Sequence, residues 1–415
     1  MRIAIYENLP PGGAKRASFG FGCYLAGHHE VDLYRLTITD NRMFDLAPLV
    51  RRVFVYPFAP FGGLLDARLN DGHFAPRSYT LFGPLRRLHR RIAADLRGRG
   101  YDVVLAHTDA MTQSPYLLRW LAGQRNIYYC HEVLRIREEH AAQVAHRRQL
   151  AASRFPAGRL RVVEDKLVRG RLLAADAANT AAAETIAVNS NYTRERVWAA
   201  YARDAATCYP GVDPDQFRPD PTLSRRREVL SIGTPLLLKG HALVIEALSR
   251  IPADRRPGLR IVTAGRIDSG WLDRLARERS VKLDFENGLD EPALVERYGS
   301  VMATVCAARL EPLGLTALES MSCGTPVIAI DEAGYRETIR DGMTGLLVDP
   351  APEALGAAIA SLVDRPDRIA ELGRAGRSWI QDHWSWQHAG RRLESLLEAR
   401  IEQTKIDTPA AEREG

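Results

Sequence analysis

The chain has 415 residues, more than the roughly 250 to 300 at which one hydrophobic core stops growing, so we expect two domains. Hydrophobic residues make up 46% of the chain, which argues against a disordered protein, and no stretch approaches the roughly 18 apolar residues of a membrane-spanning helix. The net charge of +6 suits an anionic substrate or surface without identifying it.

Short apolar runs bounded by turn residues alternate with helical patterns along the chain. In the first half the predicted strands are 2–6, 30–36, 102–107, 126–130 and 185–190. The same rhythm resumes with 228–233, 259–265, 281–285, 301–308, 325–330 and 344–349. Runs of Val, Ile and Leu between helices are typical of parallel sheets covered on both faces, so we predict two doubly wound α/β domains.

The two series of strands are separated by residues 208–228, where four prolines, a glycine and several aspartates interrupt any periodic pattern. We therefore predict an N-terminal domain over 1–210 and a C-terminal domain over 211–383, followed by a helix over 384–405 and a flexible tail over 406–415. Doubly wound sheets bind ligands at the carboxyl ends of their strands, so we expect the chemistry in a cleft between the domains.

Residues 85–100 form a basic amphipathic pattern, with Leu85, Leu88, Ile92 and Leu96 on one face and Arg86, Arg87, Arg90, Arg91 and Arg97 elsewhere. Such a helix can lie on an anionic membrane or hold a phosphorylated acceptor. The simpler interpretation, favoured in an arginine-rich chain, is a helix packed on the sheet with a solvated basic face.

No metal site is predicted. Residues 213–215 match the D-x-D pattern, but they lie among the linker prolines, where Asp and Pro serve turns. The histidines at 28, 29 and 131 lack the spacing of H-E-x-x-H, and the five scattered cysteines form no C-x-x-C pair. The N-terminus runs straight into a strand without a secretory signal, so we expect a cytoplasmic protein.

The strand 228–233 is followed by TPLLLKGH, which brings Lys239 to the carboxyl end of the first strand of the second domain. A lysine at this position could place a compact positive charge on a diphosphate. Taken alone, Lys-Gly after a strand more often marks a simple turn.

The strand 301–308 is followed by EPLGLTALESMSCG, residues 311–324. We expect Pro312 to be the first residue of a helix that ends at Cys323-Gly324. The first amides of this helix would favour an anion, because they lack intrahelical partners and lie at the positive end of the dipole. They belong to Gly314, Leu315 and Thr316.

This segment contains two glutamates, one at its start and one within the predicted helix. Glu319, about two turns into the predicted helix, could accept two hydrogen bonds from a ribose diol. Glu311, nearer the cleft, could bind sugar hydroxyls or a developing positive charge. The alternatives are a solvated helix residue for Glu319 and a partner of the helix dipole for Glu311.

In combination these segments resemble the retaining glycosyltransferases of family 4, also called glycosyltransferase group 1, which have the GT-B fold. EPLGLTALESMSCGTPVIA resembles their E-x7-E segment, and the likeness continues through AGYRETIRDGMTGLLVDP. Further matches are SIGTPLLLKGH, VNSNYTRERV, YPGVDPDQFRP, PPGGAKR and LAGHHEVDLY, which span nearly the whole chain in order. The resemblance implies two doubly wound Rossmann-like domains that face an interdomain cleft, with the final helix crossing back to the N-terminal domain.

The resemblance also implies that the C-terminal domain binds a nucleotide sugar and the N-terminal domain an acceptor. Glu319 would hold the ribose hydroxyls and Glu311 would contact the transferred sugar. The diphosphate would be held by Lys239 and the amides from Gly314 to Thr316.

On the N-terminal side, Gly12 and Gly13 match a loop that approaches the reacting centre in this family. His131, after the strand NIYYC, matches a histidine that lines the sugar pocket. We therefore predict His131 and Glu311 as the catalytic residues, and the glycines as part of the donor site.

One position departs from the family pattern. Members usually have an arginine after the glycine that corresponds to Gly233, as a second cation on the diphosphate, whereas this chain has Thr234. The charge would be missing unless another cation replaces it; the candidates are Lys15, Arg266 and Arg309.

We therefore expect a retaining transferase that needs no metal or other cofactor and does not bind nucleic acid. It would move a hexose-type sugar, mannose or a related one, from a UDP or GDP sugar to a sugar, lipid-linked or small-metabolite acceptor. The alternatives are an epimerase or hydrolase of the same fold, or a nucleotide-sugar-binding protein without turnover. A peripheral contact with the inner membrane face would use residues 85–100.

Overall fold

The computed structural model describes residues 1–59, 78–134, 158–263 and 269–407. The chain divides into two compact units. Unit 1 comprises Met1–Asn189, Thr193–Tyr209 and Gly390–Gly415, and unit 2 comprises Ser190–Tyr192 and Pro210–Ala389.

Unit 1 contains a seven-stranded parallel sheet in the order β3-β2-β1-β4-β5-β6-β7. The strands are β1 Arg2–Asn8, β2 Glu30–Leu36, β3 Arg52–Tyr56, β4 Val103–Asp109, β5 Asn126–Cys130, β6 Thr185–Val188 and β7 Ala206–Thr207. The helices of this part of the chain are α1 Gly13–His28, α2 Ser78–Arg97, α3 Gly158–Ala181 and α4 Asn191–Tyr201, with a 3-10 helix at Tyr116–Trp120. Every residue of β4 and β5 is buried, as expected of central strands covered on both faces.

Unit 2 contains a six-stranded parallel sheet in the order β10-β9-β8-β11-β12-β13. The strands are β8 Arg226–Ile232, β9 Gly258–Thr263, β10 Leu283–Asn287, β11 Val301–Cys306, β12 Val327–Ile330 and β13 Gly345–Val348. The helices are α5 His241–Ser249, α6 Gly270–Glu278, α7 Glu291–Ser300, α8 Leu315–Ser322, α9 Tyr335–Thr338, α10 Pro352–Val363 and α11 Pro366–His383, with a 3-10 helix at Leu237–Lys239. The central pair β8 and β11 places the loops that follow these strands at one edge of the sheet.

The last helix, α12, covers Trp386–Asp407, and its residues from Gly390 onward belong to unit 1. A Cβ atom on Gly390 would lie 2.1 Å from the ring of Tyr24, so only glycine permits this close approach to α1. Glu394 accepts hydrogen bonds from the Tyr24 hydroxyl at 2.9 Å and pairs with His29 Nε2 at 2.7 Å.

The strands predicted from the sequence all appear, with ends shifted by a few residues. Two strands were not predicted: the edge strand β3, with two exposed, two half-buried and one buried residue, and the two-residue β7. Asp213 Oδ1 accepts hydrogen bonds from the amides of Asp215 and Gln216, so the D-x-D segment forms a turn, as predicted. All five cysteines are free thiols. Among the helices that the structure describes, none combines the length and apolar character needed to cross a bilayer.

The predicted start of α8 was wrong. The helix begins at Leu315 rather than at Pro312, so Glu319 is its fifth residue, little more than one turn from the N-terminus. The physical reason is Gly314, which lies within the predicted helix but has φ of 89°, in the left-handed region that a right-handed helix excludes. Leu310, before the predicted start, also has a left-handed φ of 55°.

Candidate functional site

In unit 2 the loops after β8 and β11 are held against each other. The amide of Arg309 donates to the carbonyl of Leu238 at 2.8 Å. Gly240 has φ of 72°, and a Cβ atom there would lie 2.0 Å from the carbonyl oxygen of Ala307. Since only glycine permits this approach, the fold requires Gly240 at this turn.

The close approach places Lys239 beside Glu311. Lys239 Nζ donates to Glu311 Oε2 at 2.9 Å, and the two side chains are 23% and 21% exposed. Gly233 lies on the other side of the lysine, where a Cβ atom would come within 3.2 Å of Lys239 Cδ. The lysine is thus positioned by its neighbours but remains accessible to an anionic ligand.

The N-terminus of α8 lies in the same loop region. Gly314 precedes the helix, and its carbonyl accepts from the amide of Ala317 at 2.9 Å. Leu315 and Thr316 open the helix, so their N–H groups have no intrahelical acceptors, and both residues are partly exposed. This arrangement favours binding of an anion.

A second loop, after β12, fixes the backbone of this segment. Glu332 Oε1 accepts from the amide of Leu310 at 2.8 Å, and Glu332 Oε2 pairs with Arg309 Nε at 2.6 Å. The amide of Gly334 donates to the carbonyl of Glu311 at 3.0 Å. These contacts hold Leu310 in its left-handed conformation, which costs free energy for a residue with a Cβ atom. The sequence analysis missed Glu332, because its partners lie 22 and 23 residues earlier in the chain.

Glu319 is only 6% exposed, so the alternative of a solvated helix residue is wrong. Its Oε2 atom accepts a hydrogen bond from the hydroxyl of Tyr298 at 2.7 Å, and Tyr298 is fully buried. Tyr298 lies in the last turn of α7 and was not predicted from the sequence, since no local pattern connects it with α8. A buried carboxylate that a hydrogen bond orients can accept hydrogen bonds from a ligand in a fixed direction.

The three candidates for the cation missing at Thr234 differ in their surroundings. Lys15 is fully buried in unit 1, where it forms an ion pair with Glu7, so it does not supply an exposed charge. Arg309 is 47% exposed and adjacent to the Lys239 segment through its backbone. Arg266 lies outside the described residues.

In unit 1 the predicted residues lie at the carboxyl ends of β1 and β5. Gly12, with φ of 148°, precedes α1, and Gly13 is its first residue; both glycines are exposed. His131 follows β5 and is 4% exposed. Its Nε2 atom lies 3.0 Å from Nδ1 of His107, the fifth residue of β4. His107 was missed, although its place near the end of a buried strand is a signal that could have been used.

Burial lowers the pKa of His131 to about 3. Burial, with contributions from His131 and Lys15, also lowers the pKa of His107 well below its usual range. Both rings are therefore neutral near pH 7. The predicted residues fall into two groups, one at the strand ends of each unit.

Residues 213–379 match the sequence profile of the family described as glycosyl transferases group 1. The chain is 33% identical over 242 residues to a GDP-mannose-dependent α-(1-6)-phosphatidylinositol monomannoside mannosyltransferase of Mycolicibacterium smegmatis, covering 53% of this chain and 63% of that protein. It is 31% identical over 326 residues to a D-inositol 3-phosphate glycosyltransferase of Geodermatophilus obscurus, covering 72% and 66%. The chain spans about three fifths of the length of the curated mannosyltransferases that it matches.

Two solved structures share the architecture over nearly the full chain. Sucrose-phosphate synthase of Thermosynechococcus elongatus has a TM-score of 0.72 at 20% identity, covering 98% of this chain and 100% of that one. HepE of Anabaena in complex with UDP-glucose has a TM-score of 0.67 at 17% identity, covering 96% and 100%. At these identities the likeness shows the fold alone, which is GT-B, as predicted.

Proposed function

The chain belongs to the group 1 glycosyltransferases, and from this premise we propose that it transfers a hexose-type sugar from a nucleoside diphosphate sugar to an acceptor, with retention at the anomeric carbon. The observation that carries the proposal is the contact of Lys239 with Glu311 beside the N-terminus of α8. One loop region of unit 2 thus contains the Lys239 cation, the Glu311 carboxylate and a helix N-terminus that can bind an anion.

Each group has a defined role in the proposed reaction. Lys239 and the amides of Gly314, Leu315 and Thr316 bind the diphosphate and stabilise the charge that develops on it as the glycosidic bond breaks. Glu319 holds the ribose hydroxyls. Glu311 contacts the transferred sugar, whose anomeric centre becomes positively charged in the transition state. Positioning and charge stabilisation supply the catalysis, without a protein nucleophile.

The relatives support a donor that carries mannose on GDP. Four of the matched proteins are named as GDP-mannose-dependent mannosyltransferases. UDP sugars are the competing donors, since HepE has been solved with UDP-glucose. We propose GDP-mannose as the donor to test first, with a reaction that needs no metal ion.

The acceptor is proposed to bind unit 1, on the side of Gly12, Gly13 and His131. The relatives' names include phosphatidylinositol monomannoside and D-inositol 3-phosphate, which share an inositol phosphate. An acceptor with that group is therefore the first to test, before other sugar, lipid-linked and small-metabolite acceptors.

The test begins with thermal unfolding of the purified protein in EDTA, with GDP, UDP, ADP, dTDP and their common sugars. A ligand at 100 times its Kd stabilises the folded state by about 2.7 kcal/mol, which is readily measured. Stabilisation by one nucleotide and its sugar is expected, followed by transfer of labelled sugar to acceptor. Hydrolysis of the donor without transfer would indicate a hydrolase, and tight binding without turnover would indicate a binding protein.

Lys239→Ala tests the site itself. Loss of a charge-assisted contact of about 2 kcal/mol should weaken nucleoside diphosphate binding roughly thirtyfold while leaving the nucleoside monophosphate less affected. Lys282→Ala, which removes an exposed lysine of unit 2, is the matched control and should bind as wild type. Equal effects of the two substitutions would exclude the proposed diphosphate site.

A further inference from the structure

His107 and His131 form a buried pair in unit 1. Their rings stack with centroids 5.2 Å apart and an interplanar angle of 20°, and His107 Nδ1 lies 3.0 Å from His131 Nε2. The two rings are 0% and 4% exposed. Since both are neutral, one nitrogen carries the shared proton and donates it, and the other accepts.

The second ring nitrogen of His107 indicates which of the two histidines donates in this hydrogen bond. His107 Nε2 is buried and has no hydrogen-bond partner among the residues that the structure describes. If His107 accepted through Nδ1, its proton would lie on Nε2, as a buried N–H group without an acceptor. If it donates through Nδ1, Nε2 carries only a lone pair. Orphaned buried N–H groups are the rarer of the two defects in proteins.

We propose that His107 donates its Nδ1–H to His131 Nε2 and so fixes His131 as the neutral tautomer with its proton on Nδ1. His131 then presents a hydrogen-bond donor through its remaining nitrogen. Such a group suits a sugar hydroxyl oxygen and excludes His131 as the base that accepts a proton from the acceptor. His107 is thus a positioning residue that acts through His131.

The assignment of a sugar ligand to His131 rests on the proposed function, whereas the position of the proton does not. It can be read from the nitrogen chemical shifts of the protein with ¹⁵N-labelled histidine rings, with the His131 signals identified by their loss in His131→Phe. We expect a protonated Nδ1 and an unprotonated Nε2 for His131. The opposite tautomer would overturn the proposal, whether or not the protein transfers sugar.

Two substitutions test the consequence for activity. His107→Phe keeps a ring but removes the donor, so His131 should revert to the Nε2–H form and kcat should fall about tenfold, the effect of one hydrogen bond. His107→Asn retains an N–H group near the position of Nδ1 and should restore the tautomer and most of kcat, with KM for the donor little changed. If the two variants are equally impaired while unfolding at the same temperature as wild type, His107 has only a packing role.

Transfer by the wild-type protein is measured beside both variants. Its absence would refute the proposed function, while the chemical shifts would still decide the position of the proton. If His107→Phe does not fold, the spectrum of the wild-type protein remains the test.

Discussion

At the scale of single residues, Tyr298 orients Glu319 through one hydrogen bond of 2.7 Å in the interior of unit 2. Tyr298→Phe removes only the hydroxyl, so we expect the free energy of unfolding to fall by about 1 kcal/mol. Nucleoside diphosphate binding should weaken as well, because one oxygen of the Glu319 carboxylate loses its fixed donor. Chemical denaturation and calorimetric titration measure the two effects separately.

Tyr34→Phe is the matched control. It removes a buried hydroxyl that bonds to Tyr101 at 2.9 Å in unit 1. We expect a similar loss of stability with unchanged nucleotide affinity. If Tyr298→Phe also left the affinity unchanged, the ribose role of Glu319 would lose its support from this contact.

Of the three cations considered for the charge missing at Thr234, Arg309 is the one that the structure describes as exposed, with its Nε paired with Glu332. We predict that Arg309→Ala weakens nucleoside diphosphate binding about tenfold, by loss of one charge-assisted contact of about 1.4 kcal/mol. Introducing Thr234→Arg into this variant should restore the affinity. Arg336→Ala removes a comparably exposed arginine, paired with Asp331, and serves as the control. Failure of Thr234→Arg to rescue would contradict the prediction.

At the scale of elements, the N-terminus of α8 depends on the conformation of Gly314. A Cβ atom there would lie 2.6 Å from the ring of Tyr335, in addition to the strain of a φ of 89°. Gly314→Ala should therefore abolish diphosphate binding and lower the free energy of unfolding by more than the roughly 1 to 2 kcal/mol of left-handed strain alone. Denaturation and nucleotide titration check both expectations.

Gly342 offers a control with strain but no steric conflict. Its φ is 70°, and no atom lies within 4 Å of a Cβ placed there. Gly342→Ala should lower the free energy of unfolding only by the strain of the left-handed backbone, and it should leave diphosphate binding intact. Similar losses of stability in the two variants would show that the Tyr335 ring moves aside. Its contact with Gly314 would then not determine the conformation of the loop before α8.

At the scale of the whole molecule, the excess positive charge is concentrated in part on α2. Its apolar residues Leu85, Ile92 and Leu96 are buried in unit 1, which confirms the predicted packing on the sheet. Its exposed arginines are Arg86, Arg87, Arg90, Arg91 and Arg97. With its apolar face occupied, α2 can approach a membrane only through charge, and we propose that it does so.

The proposal predicts co-sedimentation with vesicles of phosphatidylcholine and phosphatidylserine, and release by high salt. Each arginine near an anionic surface contributes about 1 kcal/mol, so Arg90→Gln with Arg91→Gln should weaken binding roughly thirtyfold. The same double change at Arg226 and Arg227, an exposed pair in unit 2, is the control. Equal weakening by both pairs would assign the binding to net charge rather than to α2.

The apolar pattern of the sequence was sufficient to predict the two parallel sheets and the segments at the carboxyl ends of their strands. Central parallel strands are buried on both faces, so they appear as continuous apolar runs that local analysis detects. Glycines at 240 and 314 and the glutamates at 311 and 319 lie within short segments whose pattern indicates a loop and a helix. The edge strand β3 was not predicted, although its residues RVFVY are mostly apolar; two of them are exposed, two half-buried and one buried.

The groups that hold the candidate site residues in position become visible only in the folded chain. Tyr298 meets Glu319, Glu332 meets Leu310, and His107 meets His131 across 21, 22 and 24 residues of sequence. Such contacts depend on how neighbouring strands and helices pack, so no periodic pattern encodes them. The left-handed backbone at Leu310 is likewise supported by a contact with Glu332, and the left-handed conformation of Gly314 moves the start of α8 to Leu315.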